Sequence, residues 1–278
     1  MRKIKITADS SANLLALDNV SFASVPLKII AAENEFVDNK TLDLDEMYRF
    51  FDKYKGRSQT SCPNASDWLE SFEDAEDVFC ITITSGLSGS YNTACMAKEM
   101  YEEEHPDRRV FVIDSLSAGP ELTLLAQKLA ELIQQGMAFE EICKEIKAYQ
   151  KKTGLVFMLE SLKNFAANGR VSPAVAKIAG VLGIRVVGKA SDEGTLEPLH
   201  KCRGVEKSLQ AIVNHLKENG LHSGKVQIAH CLNETAAQKL KEMIASVFPK
   251  ATVNIGINRG LCSYYAEIGG LLVGFERC

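Results

Sequence analysis

Apolar residues fall into two alternating rhythms along this chain. Short continuous runs such as Val78, Phe79, Ile81 and Ile83 read as strands buried on both faces, while longer stretches with helical spacing of apolar positions read as helices. In the first half, Lys3 to Ala8, Val78 to Thr84 and Arg109 to Ile113 are the expected strands. Asn92 to Met100, Glu121 to Gln135 and Phe139 to Lys151 are the expected helices, the second stopping at Gly136. This alternation predicts an α/β domain with a doubly wound, mostly parallel sheet. The three strands run into Asp9-Ser10-Ser11, Ser85-Gly86 and Asp114-Ser115, and in such a sheet those loops converge on one crevice.

The second half has a different texture. Leu155 to Met158 reads as a short strand, Glu160 to Ala167 as a helical turn, and Ser172-Pro173 as the start of a helix running to Ala179. Ile184 to Val187 and Leu196 to Leu199 flank a turn at Asp192-Glu193-Gly194 and predict a hairpin. Helices near Val205 to Asn219 and Glu234 to Val247 bracket a strand at Val226 to Ala229. We therefore expect an N-terminal α/β domain over 1–153 and a C-terminal α+β domain over 154–278.

Composition narrows the function classes. With 278 residues and 46% apolar content, the chain can bury one large core or two modest ones. A net charge of −4 gives no global attraction to nucleic acid or an anionic membrane, and no apolar run reaches membrane-spanning length. Met1 to Ile6 leads at once into a strand and does not read as a signal segment, so a cytoplasmic protein is expected. The eight cysteines show no metal-binding spacing, and the expectation is reduced thiols with no metal, disulfide or cofactor. The five histidines carry no ligand spacing either, and His230, ending an apolar strand, reads as a core residue.

Candidate chemistry concentrates in three turns. Ser85, Gly86, Ser88, Gly89 and Ser90 join a buried strand to a helix, which presents hydroxyls, free backbone N–H groups and a positive dipole end to an anion. The same residues are also ordinary helix caps. Gln59-Thr60-Ser61-Cys62-Pro63-Asn64-Ala65-Ser66 is a second hydroxyl-rich turn, and Asn168-Gly169-Arg170 offers a cation. Taken in order, Ala8-Asp9-Ser10-Ser11, Thr60-Ser61-Cys62-Pro63, Leu87-Ser88-Gly89-Ser90-Tyr91, Val112-Ile113-Asp114-Ser115, Leu159 to Arg170 and the Gly-rich Gly269 to Phe275 resemble the bacterial DegV family across nearly the whole chain.

The resemblance implies a lipid-binding protein that holds one long-chain fatty acid in a tunnel between two domains. The best understood members are the fatty-acid-binding subunits of bacterial fatty acid kinase. There, a separate ATP-using kinase turns the presented carboxylate into acyl phosphate for phospholipid synthesis, and the binding subunit does not catalyse. Matching motifs residue by residue assigns carboxylate contact to Thr60, Ser61, Ser88, Gly89 and Ser90. Arg170 is assigned to the pocket mouth or partner surface, with Asn168 replacing the first glycine of the family's Gly-Gly-Arg turn; a solvated loop arginine is the alternative. Arg203 matches a basic position of the kinase-docking region, or is simply solvated. Many members carry a histidine near the pocket mouth where this chain reads Ser263-Tyr264-Tyr265, so Tyr265 either replaces it or is a core tyrosine.

Two other classes stay open on the sequence. One is a carrier or sensor of another apolar carboxylate. The other is a serine-dependent acyl hydrolase, although Gly86-Leu87-Ser88-Gly89-Ser90 breaks the Gly-x-Ser-x-Gly elbow at its last position and no Walker loop is present to bind ATP.

Overall fold

A computed structural model describes residues 2–172, 175 and 183–277. Four parallel strands, β1 (Ile4–Asp9), β2 (Ser21–Val25), β6 (Asp77–Thr82) and β7 (Arg109–Asp114), form the first sheet in the order β2-β1-β6-β7. Every residue of β6 is buried, because successive side chains alternate between two covered faces. Val78 and Cys80 pack with Trp68, Phe72, Ala94 and Tyr101 of helices α2 (Ala65–Phe72) and α3 (Ser90–Glu104). Phe79 and Ile81 face Leu122, Leu125, Leu129 and Ile146 of α4 (Pro120–Gln134) and α5 (Phe139–Gln150).

Parallel pairing brings the carboxyl ends of β1, β6 and β7 to one end of the sheet, as the alternation of elements predicts. The loops there bond to one another: Ile83 N donates to Asp9 Oδ2 at 2.8 Å, Ser85 N to Asp114 Oδ1 at 3.0 Å, and Thr84 N to Ser117 O at 2.9 Å.

The second sheet has six strands in the order β10-β9-β8-β13-β11-β12. They are β8 (Thr153–Leu159), β9 (Ile184–Ala190), β10 (Leu196–Arg203), β11 (Lys225–His230), β12 (Thr252–Ile257) and β13 (Leu271–Glu276), antiparallel except for the β11–β12 pair. Helices α7 (Val205–Glu218) and α8 (Glu234–Val247) cover one face, with Leu209, Ile212, Leu240 and Ile244 in the core. Helix α4 covers the other face and so lies between the two sheets, with Leu122, Leu124, Leu125, Leu129 and Leu132 among its buried residues. Its close approach depends on Gly274, where a Cβ would stand 2.6 Å from the backbone of Pro120 and Glu121. The expected helix over Ser172-Pro173 to Ala179 lies outside the described residues.

A third, three-stranded antiparallel sheet, β4-β3-β5, is absent from the sequence reading. Its strands are β3 (Lys28–Ala31), β4 (Asn34–Val37) and β5 (Ser58–Ser61), and β5 is wholly polar, so no apolar alternation announces it. Pairing of Ile29 with Thr60 and Lys28 with Ser61 makes it a strand and fixes the second hydroxyl-rich turn in space. Helix α1 (Leu44–Lys53) follows β4. Two short helices complete the site: α6 (Lys163–Ala167) and α9 (Gly260–Ala266).

Candidate functional site

A cavity of about 310 Å³ opens where the carboxyl-end loops of the first sheet meet β5, β8, the β9–β10 hairpin and α9. Its walls are mostly apolar, with Leu27, Ile83, Leu155, Phe157, Leu261 and Leu272 among them. Polar groups gather from Thr60, Ser61, Cys62, Ser88, Gly89, Arg170 and Tyr265. A mostly apolar cavity with a few convergent polar groups is the usual form of a small-molecule site.

Thr60 Oγ1 lies 2.8 Å from the Tyr265 hydroxyl, and the Tyr265 ring packs on Phe165 at a centroid distance of 4.6 Å. Burial raises the Tyr265 pKa, against the opposing effects of the Thr60 hydrogen bond and the nearby Arg170 charge. Burial also pushes the Cys62 thiol up. Both groups therefore stay protonated at neutral pH. Ser61 is exposed, with Oγ donating to the carbonyl of Cys62 at 3.3 Å. Ser88 Oγ accepts from Ser90 N at 3.3 Å, and Gly89 is the residue before the first turn of α3. A Cβ on Gly89 would stand 3.3 Å from Cys62 Sγ, so the two hydroxyl-rich turns touch here.

Arg170 ties the third turn to the first. Its Nε donates to Leu87 O at 3.2 Å and its Nη1 to Asn168 O at 2.6 Å. It has no carboxylate partner among the described residues, so its charge faces the cavity uncompensated by a protein anion. Asn168, standing where a glycine is expected, has its own contacts: Nδ2 donates to the Tyr264 hydroxyl at 3.0 Å and to Asn164 O at 2.9 Å. Ser58 Oγ lies 2.7 Å from the same tyrosine hydroxyl. The departures from the family pattern at Asn168 and at Tyr264-Tyr265 are thus in contact with each other.

Two expectations are placed elsewhere. Ser90 is fully buried and is not among the residues that line the cavity, and its Oγ donates to Asp9 Oδ2 at 2.7 Å. Asp9 is itself fully buried and also accepts from Ser11 Oγ at 2.5 Å, Ile83 N at 2.8 Å and Ser11 N at 3.2 Å. Burial is the main cause of its raised pKa, with the Ser11, Ser90 and Ile83 bonds opposing it. Arg203 is exposed at the end of β10, paired with Ile184, and lies outside the cavity lining.

Sequence reasoning missed the closure of the cavity by the hairpin turn. Thr84 Oγ1 donates to Gly194 O at 2.8 Å, and a Cβ on Gly86 would come within 3.0 Å of that same oxygen. Gly194 has φ +73°, which the Asp-Glu-Gly turn signals, but its partner across the chain leaves no local trace. Among the described residues no group of three or more histidines, cysteines or acids could hold a metal ion.

Comparison with known proteins fits this geometry. The DegV family model matches residues 3–274. A DegV domain-containing protein of Streptococcus pneumoniae is 46% identical over 98% of both chains. A DegV family protein from Eubacterium eligens, solved loaded with heptadecanoic acid, is similar with a TM-score of 0.97 and 44% identity over 99% of this chain and 100% of its own. The Streptococcus pneumoniae Fatty Acid Kinase B3 protein, solved loaded with linoleic acid, matches with a TM-score of 0.97 and 46% identity over the same shares. With these matches across nearly its full length, the chain belongs to the DegV family.

Proposed function

We propose that this chain binds one long-chain fatty acid, its tail in the apolar cavity and its carboxylate at the polar end, and that it presents the acid to a separate fatty acid kinase without catalysing a reaction itself. The observation that carries this is the unpaired Arg170 guanidinium beside Thr60, Ser88 and Gly89 at the end of a cavity walled by leucine, isoleucine and phenylalanine. Two family members more than 40% identical, each carrying an acyl chain, support it, and the name of one of them supports the kinase partner.

Magnitudes divide the work between tail and head. Burying the tail of a sixteen-carbon acid contributes roughly 11 kcal/mol gross at about 0.8 kcal/mol per methylene, before the costs of association. The head-group bonds, each about 1.5 to 3 kcal/mol when charge-assisted, keep the carboxylate from being buried unpaired and set which end faces outward. Thr60, Ser61, Ser88 and Gly89 are the carboxylate contacts in this reading, with Arg170 supplying charge and Tyr265 a hydroxyl in place of the missing histidine. Ser90 acts from behind, holding the start of α3 against Asp9. The seven free cysteines among the described residues, all buried or half-buried, fit a reducing compartment, and we place the protein in the cytoplasm.

The reading is tested by equilibrium binding of palmitate and of hexadecanol to delipidated protein. Saturable binding with a marked preference for the acid is expected. Binding of neither, or equal binding of both, contradicts it.

A further inference from the structure

A second space, open to solvent and far larger at about 1290 Å³, adjoins the first cavity. It runs between the end of α1, residues 55–57 and β5 on one side, and Glu160–Arg170 with α9 on the other. Thr60 and Arg170 line both spaces. Whatever is attached to the carboxyl carbon of a tail held in the first cavity therefore leads directly into the second.

The chemistry of this groove differs from that of the tunnel. Phe51, Tyr54 and Tyr264 give it aromatic surface, and its polar lining carries charges of both signs. Several of those charges cancel: Lys163 pairs with Glu267 at 3.1 Å, and Glu160 with Arg185 at 2.5 Å. Lys55, Arg57 and Arg170 have no carboxylate partner among the described residues, and Asp52 has no cation partner, which leaves three cations facing one anion. Lys55 and Arg57 are exposed, so a ligand can reach them without any rearrangement.

A free fatty acid whose carboxylate ends at the seam has no further group to place in this groove. We propose that the groove is a second subsite, which takes the anionic substituent of an acyl conjugate: an acyl chain whose carboxyl end carries a phosphate-bearing group considerably larger than phosphate itself. The inference rests on the tail occupying the tunnel as described above. The seam residues Thr60 and Arg170 hold the junction, the aromatic side chains cover the body of the substituent, and Lys55 and Arg57 meet its phosphates. Charge-assisted contacts to phosphate by such residues are among the stronger polar contacts available to a protein.

The test is displacement of a fluorescent long-chain fatty acid from delipidated protein by three probes: palmitate, hexadecyl phosphate, and S-hexadecyl coenzyme A, a stable thioether. All are used below their micellar concentrations. The coenzyme conjugate is expected to compete at least as well as palmitate. In the double variant Lys55→Gln, Arg57→Gln, its competition should weaken about tenfold, the loss of two solvent-exposed charge contacts together. Palmitate and hexadecyl phosphate, which end at the seam, should stay within about twofold, and Lys55→Arg, Arg57→Lys should restore the conjugate. If the conjugate fails to compete where palmitate does, or competes equally in both proteins, the groove is not its subsite and the inference is overturned while the tunnel reading stands. If palmitate itself does not bind, the tunnel reading fails and takes this inference with it.

Discussion

Thr60 Oγ1 and the Tyr265 hydroxyl, 205 residues apart in sequence, stand 2.8 Å from each other at the polar end of the cavity. The pair joins a polar edge strand to a helix near the end of the chain, and it places two hydroxyls side by side on the cavity wall. While they are bonded to each other, one of the two hydroxyl hydrogens is left free to donate to a ligand, and the cation lining the same cavity is Arg170.

Thr60→Val and Tyr265→Phe should each weaken retention of a fatty acid by about 1 to 3 kcal/mol, the usual penalty for a buried polar group left without its partner. The matching fatty alcohol should lose less, because it brings no charge to be satisfied. Competition binding of the two ligands checks this, and equal losses for both would show that the hydroxyls only shape the fold.

Ser90→Ala should behave differently. Its hydroxyl bonds to Asp9 inside the protein, so the substitution should lower folding stability by about 1 to 3 kcal/mol while the preference for acid over alcohol is unchanged. Denaturant melts together with the same competition assay separate the two effects. A selective loss of acid binding with normal stability would return Ser90 to the head-group set.

Asp9 makes stability depend on pH with a definite sign. Burial raises its folded pKa above the ordinary value of 3.8, so the folded protein holds the proton more tightly than the unfolded chain. Its contribution is fullest below that ordinary value and is lost as pH rises through the raised folded value. Asp9→Asn cannot titrate, so the variant should lack this decline. Urea melts of both proteins across the acid-to-neutral range measure it, and parallel stability curves would contradict it.

Gly274→Ala should destabilise the molecule by about 1 to 3 kcal/mol, the typical cost of overpacking, because the new methyl meets the backbone of Pro120 and Glu121 at 2.6 Å. Thermal melts show it directly. An unchanged melting temperature would mean that α4 can move away from the second sheet freely.

The parts of this fold that were legible in the sequence share one property: their signal is local. β6 is a continuous apolar run and α4 starts at a proline, so both were readable to within two residues. The hydroxyl-rich turns were readable because serine, threonine and glycine cluster there. β5 was not, since Ser58-Gln59-Thr60-Ser61 becomes a strand only by pairing with Lys28–Ala31. Helix α9 was not either. Its first N–H groups are satisfied by the buried carboxylate of Asp38, which accepts from Gly260 N at 2.9 Å and Leu261 N at 2.8 Å across more than two hundred residues of chain. The bond from Ser90 to Asp9 was hidden for the same reason: a serine in a Ser/Gly turn looks alike whether it faces a ligand or a buried aspartate.

The central claim, that this cavity holds a long-chain fatty acid, is tested most directly by what the protein carries when purified from a bacterial host. Denaturing extraction followed by mass spectrometry should recover a long-chain fatty acid in near-equal molar amount to the protein. Recovery of no acyl chain, together with failure of the same protein to take up added fatty acid, would contradict the account.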